Sequence, residues 1–310
     1  MTELQRIEMI ARLLGASGPP GRGVERGIGD DAAVLGPPGG KLVWTIDQQV
    51  EGVHFRRGWL PWRDVGWRSF MAAASDVAAM GAVPWCALSA LVLPDDVDDA
   101  VLGEIVRGQG EASRAAGAPI VGGNLARGPS LSIATTLLGT CGDAVERSGA
   151  RAGDGLWLAG RAGLAAAGWR ALERGVFDDR VSSAIAAWRT PVALLAEGRA
   201  MATVAHAAID VSDGLARDCG HVADASGVCL VLEEAALLSD GLLLGAAAAL
   251  RIDPLDLALH GGEDYALVVA SERPIEGFRR IGSVREGRGL VLRGAAGERA
   301  LQPDGFDHWG

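Results

Sequence analysis

One stretch of small and apolar residues, positions 69–84, carries a single charge, Asp76. Its sequence, Ser-Phe-Met-Ala-Ala-Ala-Ser-Asp-Val-Ala-Ala-Met-Gly-Ala-Val-Pro, predicts a helix that is stopped by Gly81 and Pro84. Small side chains on all sides indicate that this helix packs closely against its neighbours and is largely buried.

A carboxylate on such a helix costs free energy unless a partner compensates its charge. No Lys or Arg occupies positions 72, 73, 79 or 80, one turn from Asp76 on either side. The partner therefore comes from elsewhere in the chain or is a metal ion. The alternative is that Asp76 is exposed on the polar side of the helix or is neutralised by a distant Arg.

The composition limits the classes of function. The chain has 310 residues, enough for two domains or one large one, and 49% of them are hydrophobic, which allows a sizeable core. The formal net charge is -10 and there is no basic run, which argues against nucleic acid or an anionic membrane as a partner. In such a chain, acidic clusters are more naturally cation sites.

Cysteine usage and hydropathy predict a soluble cytoplasmic protein. The cysteines lack the close spacing of metal ligands, and Cys86 and Cys229 lie in apolar runs that indicate buried thiols of a reducing compartment. The N-terminal segment 1–14 is amphipathic, unlike a signal peptide. The most apolar window, 242–250, is far too short to span a bilayer.

The polar, glycine-rich segment 147–154 is predicted to separate two domains. We predict an N-terminal domain, 1–146, with a mixed sheet and two long helices, and a C-terminal α/β domain, 147–310. The fold class is therefore α/β (α+β). The predicted N-terminal strands are 42–46, 85–93, 118–123 and 131–140, with a helix at 95–116. The predicted C-terminal elements include a helix over 191–208, a strand from 208 that turns into a helix over 215–225, and a glycine turn after 257 that leads into a strand.

Acidic residues recur at the ends of apolar strands or within apolar helices: Asp30, Asp31, Asp47, Asp76, Asp210, Asp213, Glu263 and Asp264. Each has a structural alternative, such as a solvated turn at Gly-Asp-Asp or a helix cap at Ser212 or Asp213. Together they indicate hard divalent cations, because Mg²⁺ prefers carboxylate and phosphate oxygens. There is no His/Cys set typical of zinc and no Gly-x-Ser-x-Gly nucleophile motif.

A phosphate-binding loop of the Walker type is also absent from the sequence. Lys41, the only lysine, follows two glycines but lacks the earlier Gly and the following Ser or Thr. If this chain handles nucleotide phosphates, then metal ions, backbone amides and arginines must bind them.

Seven short motifs occur in a fixed order: Gly-Asp-Asp-Ala-Ala, Thr-x-Asp-x-x-Val-Glu-Gly-Val-His-Phe, Ser-Asp-x-Ala-Ala-Met-Gly-Ala, Val-Gly-Gly, Asp-x-Ser-Asp-Gly-Leu, Gly-Gly-Glu-Asp-Tyr and a terminal Gly-Phe-Asp-His-Trp. As an ordered set, they resemble the thiamine-monophosphate kinase family, of the superfamily that includes aminoimidazole ribonucleotide synthetase. The resemblance runs from about residue 25 to the C-terminus.

The resemblance implies transfer of the γ-phosphoryl group of ATP to thiamine monophosphate, and a homodimer that forms through the N-terminal sheet. It implies several Mg²⁺ ions, held by Asp30, Thr45, Ile46, Asp47, Asp76, Asn124, Asp210 and Asp213. It implies ATP contacts from Gly123, Asn124, Arg147 and Ser212, and thiamine contacts from His54, Glu263 and Trp309. No residue is expected to act as a general base, because the acceptor phosphate, with a second pKa of about 6, is mostly ionised near neutral pH. In-line transfer would then depend on positioning and on metal ions.

The chain departs from the family pattern at Asn124. The family's Gly-Gly-Asp-Thr-Thr is Gly-Gly-Asn-Leu-Ala here, at 122–126. Asn keeps one carbonyl ligand but loses a charge worth about 4 kcal/mol, for unit charges about 4 Å apart at an effective dielectric constant near 20. Ile46 replaces a second Thr, although its backbone carbonyl could substitute. The alternative function is therefore a weakened or inactive paralogue that binds nucleotide or a thiamine-like ligand.

Overall fold

The computed structural model describes residues 2–15, 23–28, 32–36 and 39–306. The chain forms two compact units. The first contains Met1–Val77 and Ala82–Asp143, and the second contains Ala78–Gly81 and Ala144–Gly310. Among the described residues, no helix combines the length and the apolar character needed to cross a membrane.

The first unit contains a mixed sheet and long helices, as the sequence predicts. Its described helices are α1 (Glu3–Leu14), α2 (Trp62–Ala79, whose last two residues belong to the second unit) and α3 (Asp99–Ala116). Its described strands are β1 (Val24–Arg26), β2 (Val34–Leu35), β3 (Lys41–Val50), β4 (Val83–Leu93), β5 (Ile120–Arg127) and β6 (Ser132–Cys141). The strand order of the main sheet is β3-β6-β4-β5, with β4 and β5 parallel and the other pairs antiparallel.

Two glycines explain why α2 and α3 pack closely. A Cβ atom on Gly66 of α2 would lie 1.9 Å from the Ile105 carbonyl oxygen of α3, and one on Gly108 of α3 would lie 1.8 Å from the Arg63 carbonyl oxygen of α2. Only hydrogen fits at these positions, so the two helix backbones touch. The prediction of a closely packed, largely buried helix is confirmed, although α2 begins at Trp62, earlier than predicted.

The two faces of the main sheet differ in their surroundings. One face lies under α2 and α3: Arg68 Nε of α2 donates to Gln49 Oε1 of β3 (3.0 Å), and Gln109 Nε2 of α3 donates to Ser89 Oγ of β4 (2.8 Å). The opposite face carries exposed apolar side chains: Leu42, Trp44 (73% exposed) and Ile46 (68% exposed) on β3, and Leu88 on β4. We call this second surface the open face.

The second unit contains a seven-stranded mixed sheet of order β13-β12-β9-β11-β7-β10-β8. Its strands are β7 (Gly155–Ala159), β8 (Ala207–Val211), β9 (Cys229–Glu233), β10 (Ala266–Ser271), β11 (Arg279–Arg285), β12 (Gly289–Gly294) and β13 (Gly297–Leu301). Its described helices are α4 (Leu164–Arg174), α5 (Asp179–Arg189), α6 (Leu195–Met201), α7 (Leu215–Ser226), α8 (Glu234–Leu237), α9 (Gly241–Leu250) and α10 (Pro254–His260).

Several predicted boundaries are wrong. The helix predicted over 191–208 is only α6, because the Met201 carbonyl accepts the N–H groups of Val204 and Ala205 in a turn, and β8 then pairs with β10. Helix α10 occupies the start of the predicted glycine turn. Cys86 and Cys229 are buried, as predicted, and burial raises the pKa of the Cys86 thiol to about 11.

Candidate active site

Thr45 and Asp76 meet on the helix-covered face of the first unit. Along β3 the burial alternates, so that Thr45 and Asp47 lie under the helices, whereas Ile46 lies on the open face. Thr45 Oγ1 donates a 2.5 Å hydrogen bond to Asp76 Oδ2 on α2. One partner of the half-buried Asp76 is therefore a hydroxyl from a distant strand. The Ile46 side chain is apolar, so only its backbone could serve a metal ion.

Asp47 belongs to a polar row that crosses the sheet. The prediction that Asp47 ends a strand is wrong, because β3 continues to Val50. In the strand register, Asp47 lies opposite Thr135 of β6, and Thr135 lies opposite Ser89 of β4. Thr135 is fully buried, and its Oγ1 atom has no hydrogen-bond partner among the described residues. A buried hydroxyl thus lies beside a candidate metal ligand.

Gly123 lies within β5, as predicted, whereas Asn124 also lies within the strand and not after it as predicted. Gly123 lies opposite Ser89, and a Cβ there would be 1.9 Å from the Ser89 carbonyl oxygen, which explains the glycine. The next residue, Asn124, lies opposite Ala90, and successive side chains in a strand point to opposite faces. Asn124 is exposed and, by this alternation, lies on the open face. Within this unit, the strand register does not bring it to Asp47 and Asp76.

His54 lies in a turn that follows β3. Its Nδ1 accepts the Val50 N–H at 3.1 Å, so a neutral ring carries its proton on Nε2. Arg57 holds the same loop: its Nε lies 2.5 Å from Glu51 Oε1, and its guanidinium also bonds Asp96. Glu51 in turn accepts the Leu131 N–H at 3.2 Å. These contacts fix the loop against the sheet.

In the second unit, a turn at the end of β8 carries three predicted site residues. Asp210 is buried in β8, and Ser212 and Asp213 follow in the turn. Neither Ser212 nor Asp213 caps α7 with its side chain. The N-cap residue of α7 is Gly214, and the helix has no side-chain cap hydrogen bond. The alternative of a simple helix cap is therefore wrong.

The turn is held by Asp218, which the sequence analysis did not identify. Asp218 Oδ2 accepts the Ser212 N–H at 3.0 Å and the Asp213 N–H at 3.2 Å, and the residue is 3% exposed. Burial, together with the negative charges of Asp210 and Asp213, raises the pKa of the Asp218 carboxyl to about 7. A carboxylate among small residues in the first turns of a helix is the signal that could have found it.

Two further segments converge on this turn. The Ser212 carbonyl accepts the Glu263 N–H at 2.8 Å, and the Asp213 carbonyl accepts the Phe306 N–H at 2.9 Å. Glu263 has a positive φ of 69°, a conformation uncommon for a non-glycine residue, and its Oε2 lies 3.3 Å from the Tyr265 hydroxyl. The structure thus brings Ser212, Asp213 and Glu263 together.

Other acidic and basic positions lie elsewhere or outside the described residues. Asp264 accepts the N–H groups of Gly163 (2.6 Å) and Ala165 (2.9 Å), so its carboxyl caps α4 instead of joining the site. The Arg147 carbonyl accepts a hydrogen bond from the hydroxyl of Ser226, which is the last of the 12 residues of α7. Helical rise puts that anchor roughly 18 Å from the turn at the start of α7. Asp30, Asp31 and Trp309 lie outside the described residues.

The candidate ligands are carboxylate and hydroxyl oxygens, which is the ligand type that magnesium prefers. In the described ranges, no three or more His, Cys, Asp or Glu side chains form a group that could hold a metal ion. Mg²⁺ usually binds one or two carboxylates together with water and substrate phosphates, so paired oxygens suffice. Thr45 with Asp76, the buried Thr135 hydroxyl beside Asp47, and Asp210 near Asp213 are hard oxygen donors of this kind.

Comparisons with known proteins show the class to which this protein belongs. Residues 29–141 match the family model "AIR synthase related protein, N-terminal domain", so the first unit is a domain of that class. A protein of Mycobacterium tuberculosis (strain CDC 1551 / Oshkosh) named thiamine-monophosphate kinase is 37% identical over 297 residues, covering 94% of this chain and 88% of that protein. The chain belongs to the thiamine-monophosphate kinase family.

Solved structures agree with this assignment. The crystal structure of thiamine-monophosphate kinase from Stenotrophomonas maltophilia K279a matches with a TM-score of 0.84 and 30% identity, covering 92% of this chain and 96% of that chain. The structure of AaThiL complexed with AMPPCP and TMP matches with a TM-score of 0.82 and 30% identity, covering 99% of this chain and 96% of that chain. The predicted mixed α/β fold and family are confirmed.

Proposed function

We propose that this protein transfers the γ-phosphoryl group of ATP to thiamine monophosphate, giving thiamine diphosphate and ADP. Similarity to thiamine-monophosphate kinases over most of the chain supports this function. The observation that carries it to particular residues is the convergence of Ser212, Asp213, Glu263 and Phe306 at one turn, since these residues come from three separated motifs.

Magnesium ions would be held by the hard oxygen ligands of both units. The proposed ligands are Asp30, Thr45, the Ile46 backbone, Asp47, Asp76, Asn124, Asp210 and Asp213. When bound, such ions offset the repulsion between the two phosphate groups and orient them. The Thr45 hydroxyl, by donating to Asp76, fixes the orientation of that carboxylate.

The remaining residues would bind the two substrates. We assign ATP contacts to Gly123, Asn124, Arg147 and Ser212, and thiamine contacts to His54, Glu263 and Trp309. His54 suits a donor role, because the Val50 N–H occupies Nδ1 and leaves the proton on Nε2. No general base is needed, because a phosphate with a second pKa of about 6 is already largely ionised. Transfer would be direct and in line.

We also propose that the protein is a homodimer formed through the open face of the first sheet. Contiguous exposed apolar side chains mark interaction surfaces, and Trp44, Ile46 and Leu42 alternate along β3 on this face. Asn124 also lies on the open face by register, so a partner copy would bring a second set of residues to it. In this proposal, the domain 1–146 binds metal and ATP and dimerises, and residues 147–310 form the C-terminal α/β domain.

The dimer can be tested with one charge on the open face. Trp44→Glu should convert a dimer into a monomer in sedimentation velocity, because a buried unpaired carboxylate is costly. Phe177→Glu is the matched control, since Phe177 is 74% exposed in the second unit, against 73% for Trp44. If the wild type sediments as a monomer, or if both variants behave alike, the open face is not the interface.

Asn124 supports a second candidate, a paralogue that binds nucleotide or a thiamine-like ligand without turnover. Incubation of the purified protein with ATP, Mg²⁺ and thiamine monophosphate separates the two. Chromatographic detection of thiamine diphosphate supports the kinase. Absence of product, together with an ATP-dependent rise in melting temperature, supports the paralogue and refutes the kinase.

A further inference from the structure

Four hydrogen bonds fix the backbone of Ser212 and Asp213. The two N–H groups donate to Asp218 Oδ2, at 3.0 and 3.2 Å, and the two carbonyl oxygens accept from the N–H groups of Glu263 and Phe306, at 2.8 and 2.9 Å. Every backbone polar group of the pair therefore has a partner. The two bonds to Asp218 differ from the others because a side chain makes them, and a substitution can remove them.

We propose that Asp218 is a positioning residue for the kinase reaction: its carboxylate oxygen holds the two N–H groups, and thereby sets where the Ser212 and Asp213 side chains lie. This inference rests on the proposed function, in which Ser212 contacts ATP and Asp213 holds metal. Asp218 reaches neither substrate in this account. It acts through the turn, from the fourth residue of α7.

The burial of Asp218 makes the arrangement rigid. The residue is 3% exposed, so water does not readily replace its two hydrogen bonds. An unmade bond to a buried N–H is costly, and the turn would move to recover it. Gly262 limits that movement on one side, because a Cβ there would lie 2.5 Å from the Ser212 carbonyl oxygen. A displaced turn would therefore shift Ser212 and Asp213 relative to Glu263.

A different explanation is that Asp218 only places negative charge near the N-terminus of α7, where charge is favourable. The two explanations differ in what an amide does. Both N–H groups bond the same oxygen, Oδ2. Asn at this position can present one carbonyl oxygen to both groups while it lacks the charge. Leu has the same branched shape and lacks any acceptor.

The test compares Asp218→Asn with Asp218→Leu, with Asp218→Ala as a second variant without an acceptor. KM for Mg-ATP, KM for thiamine monophosphate, kcat and the melting temperature are measured for each. We expect Asp218→Leu to raise KM for Mg-ATP at least tenfold, with less than a threefold change for thiamine monophosphate. Asp218→Asn should remain within threefold of the wild type in all three constants.

A stability control excludes a merely structural effect. Asp178 caps α5 by accepting the Arg180 N–H at 2.8 Å, and Asp178→Ala removes that cap. This control should lower the melting temperature and leave the kinetic constants unchanged. If Asp218→Leu or Asp218→Ala behaves like this control, or if Asp218→Asn is as impaired as Asp218→Leu, the positioning role is wrong.

Failure of the kinase proposal is distinguishable from failure of this one. If the wild type makes no thiamine diphosphate, the kinase proposal fails, and the affinity of AMPPCP with Mg²⁺, measured by calorimetry, replaces KM. Asp218→Leu should then weaken AMPPCP at least tenfold while Asp218→Asn retains it. Equal affinity of the wild type and Asp218→Leu, or no binding by the wild type, overturns the inference. If Asp218→Leu and Asp218→Ala both fail to fold, an impaired Asp218→Asn overturns it and a fully active one supports it.

Discussion

The unsatisfied hydroxyl of Thr135 gives a quantitative prediction. Thr135 is fully buried and its Oγ1 has no hydrogen-bond partner among the described residues. An unmade hydrogen bond of this kind costs about 1–3 kcal/mol, and an apolar group of the same shape removes the cost. Thr135→Val should therefore stabilise the protein without added metal or nucleotide by about 1–3 kcal/mol. For a unit of this size, each kcal/mol corresponds to about 2–4 °C in melting temperature.

The adjacent Thr136 is the matched control. Its Oγ1 accepts from Trp44 Nε1 at 2.6 Å and donates to the Thr45 carbonyl at 2.7 Å. Thr136→Val removes both bonds and should destabilise by about 1–3 kcal/mol, at about 0.5–1.5 kcal/mol per bond. Differential scanning fluorimetry and urea titration measure the two variants side by side. A melting temperature for Thr135→Val at or below that of Thr136→Val refutes the reasoning.

Thr135→Val should also change the dependence of the reaction on Mg²⁺. If the Thr135 hydroxyl serves the metal or phosphate beside Asp47, as the row across β3 and β6 supports, Thr135→Val should be more stable and yet need more Mg²⁺ for half-maximal activity. A stabilised variant with unchanged magnesium dependence means that the hydroxyl has no part in the reaction.

Three further predictions use other residues of the two units. Thr45→Val should lower stability by about 1.5–3 kcal/mol, because it removes the hydroxyl that bonds the Asp76 carboxylate, and an unchanged urea midpoint contradicts this. Asn124→Asp should lower the Mg²⁺ concentration for half-maximal activity, whereas a rise would argue against a metal-binding role. Burial raises the pKa of Asp264 to about 7, so its contribution to stability is present below the unfolded value of 3.8 and is lost as pH rises through about 7. Relative to Asp264→Asn, the wild type should therefore lose about 1 kcal/mol per pH unit between pH 5 and 7, and parallel stability curves contradict this.

The sequence predicts the first unit well where side-chain patterns are strong. The small residues of α2 and the apolar runs of β4 and β6 identify these elements directly. The limits are clearest at Asp47 and Asn124, each placed after a strand that in fact continues through it. Pairing with neighbouring strands extends β3 and β5 through these polar residues, and the polarity of the local sequence does not indicate this extension.

In the second unit, alanine-rich composition misleads. It favours a helix over 191–208, but pairing of β8 with β10 overrides the local preference. The turn after β8 is predictable because Asp210 lies between buried residue types and is followed by Ser-Asp-Gly. That Glu263 meets this turn depends on a long-range backbone bond, from its N–H to the Ser212 carbonyl, which no local pattern encodes.

In the candidate site, some residues are identified by sequence motifs and others only by the structure. Motif resemblance identifies Asp76, Ser212 and Glu263, whereas Asp218 and Thr135 became visible only through their burial and hydrogen bonds. Residues that act through a neighbour leave a weak signal in one sequence. The face on which a strand residue lies, as for Asn124, follows from register and needs the structure.

The most direct test of the central claim is phosphoryl transfer itself. Purified protein is incubated with ATP labelled in the γ-phosphate, Mg²⁺ and thiamine monophosphate, and the products are separated. We predict label in the terminal phosphate of thiamine diphosphate, in one-to-one ratio with ADP, and loss of both products on chelation of Mg²⁺. Unlabelled thiamine monophosphate at the end of the reaction, with a folded protein that binds ATP, would contradict the account.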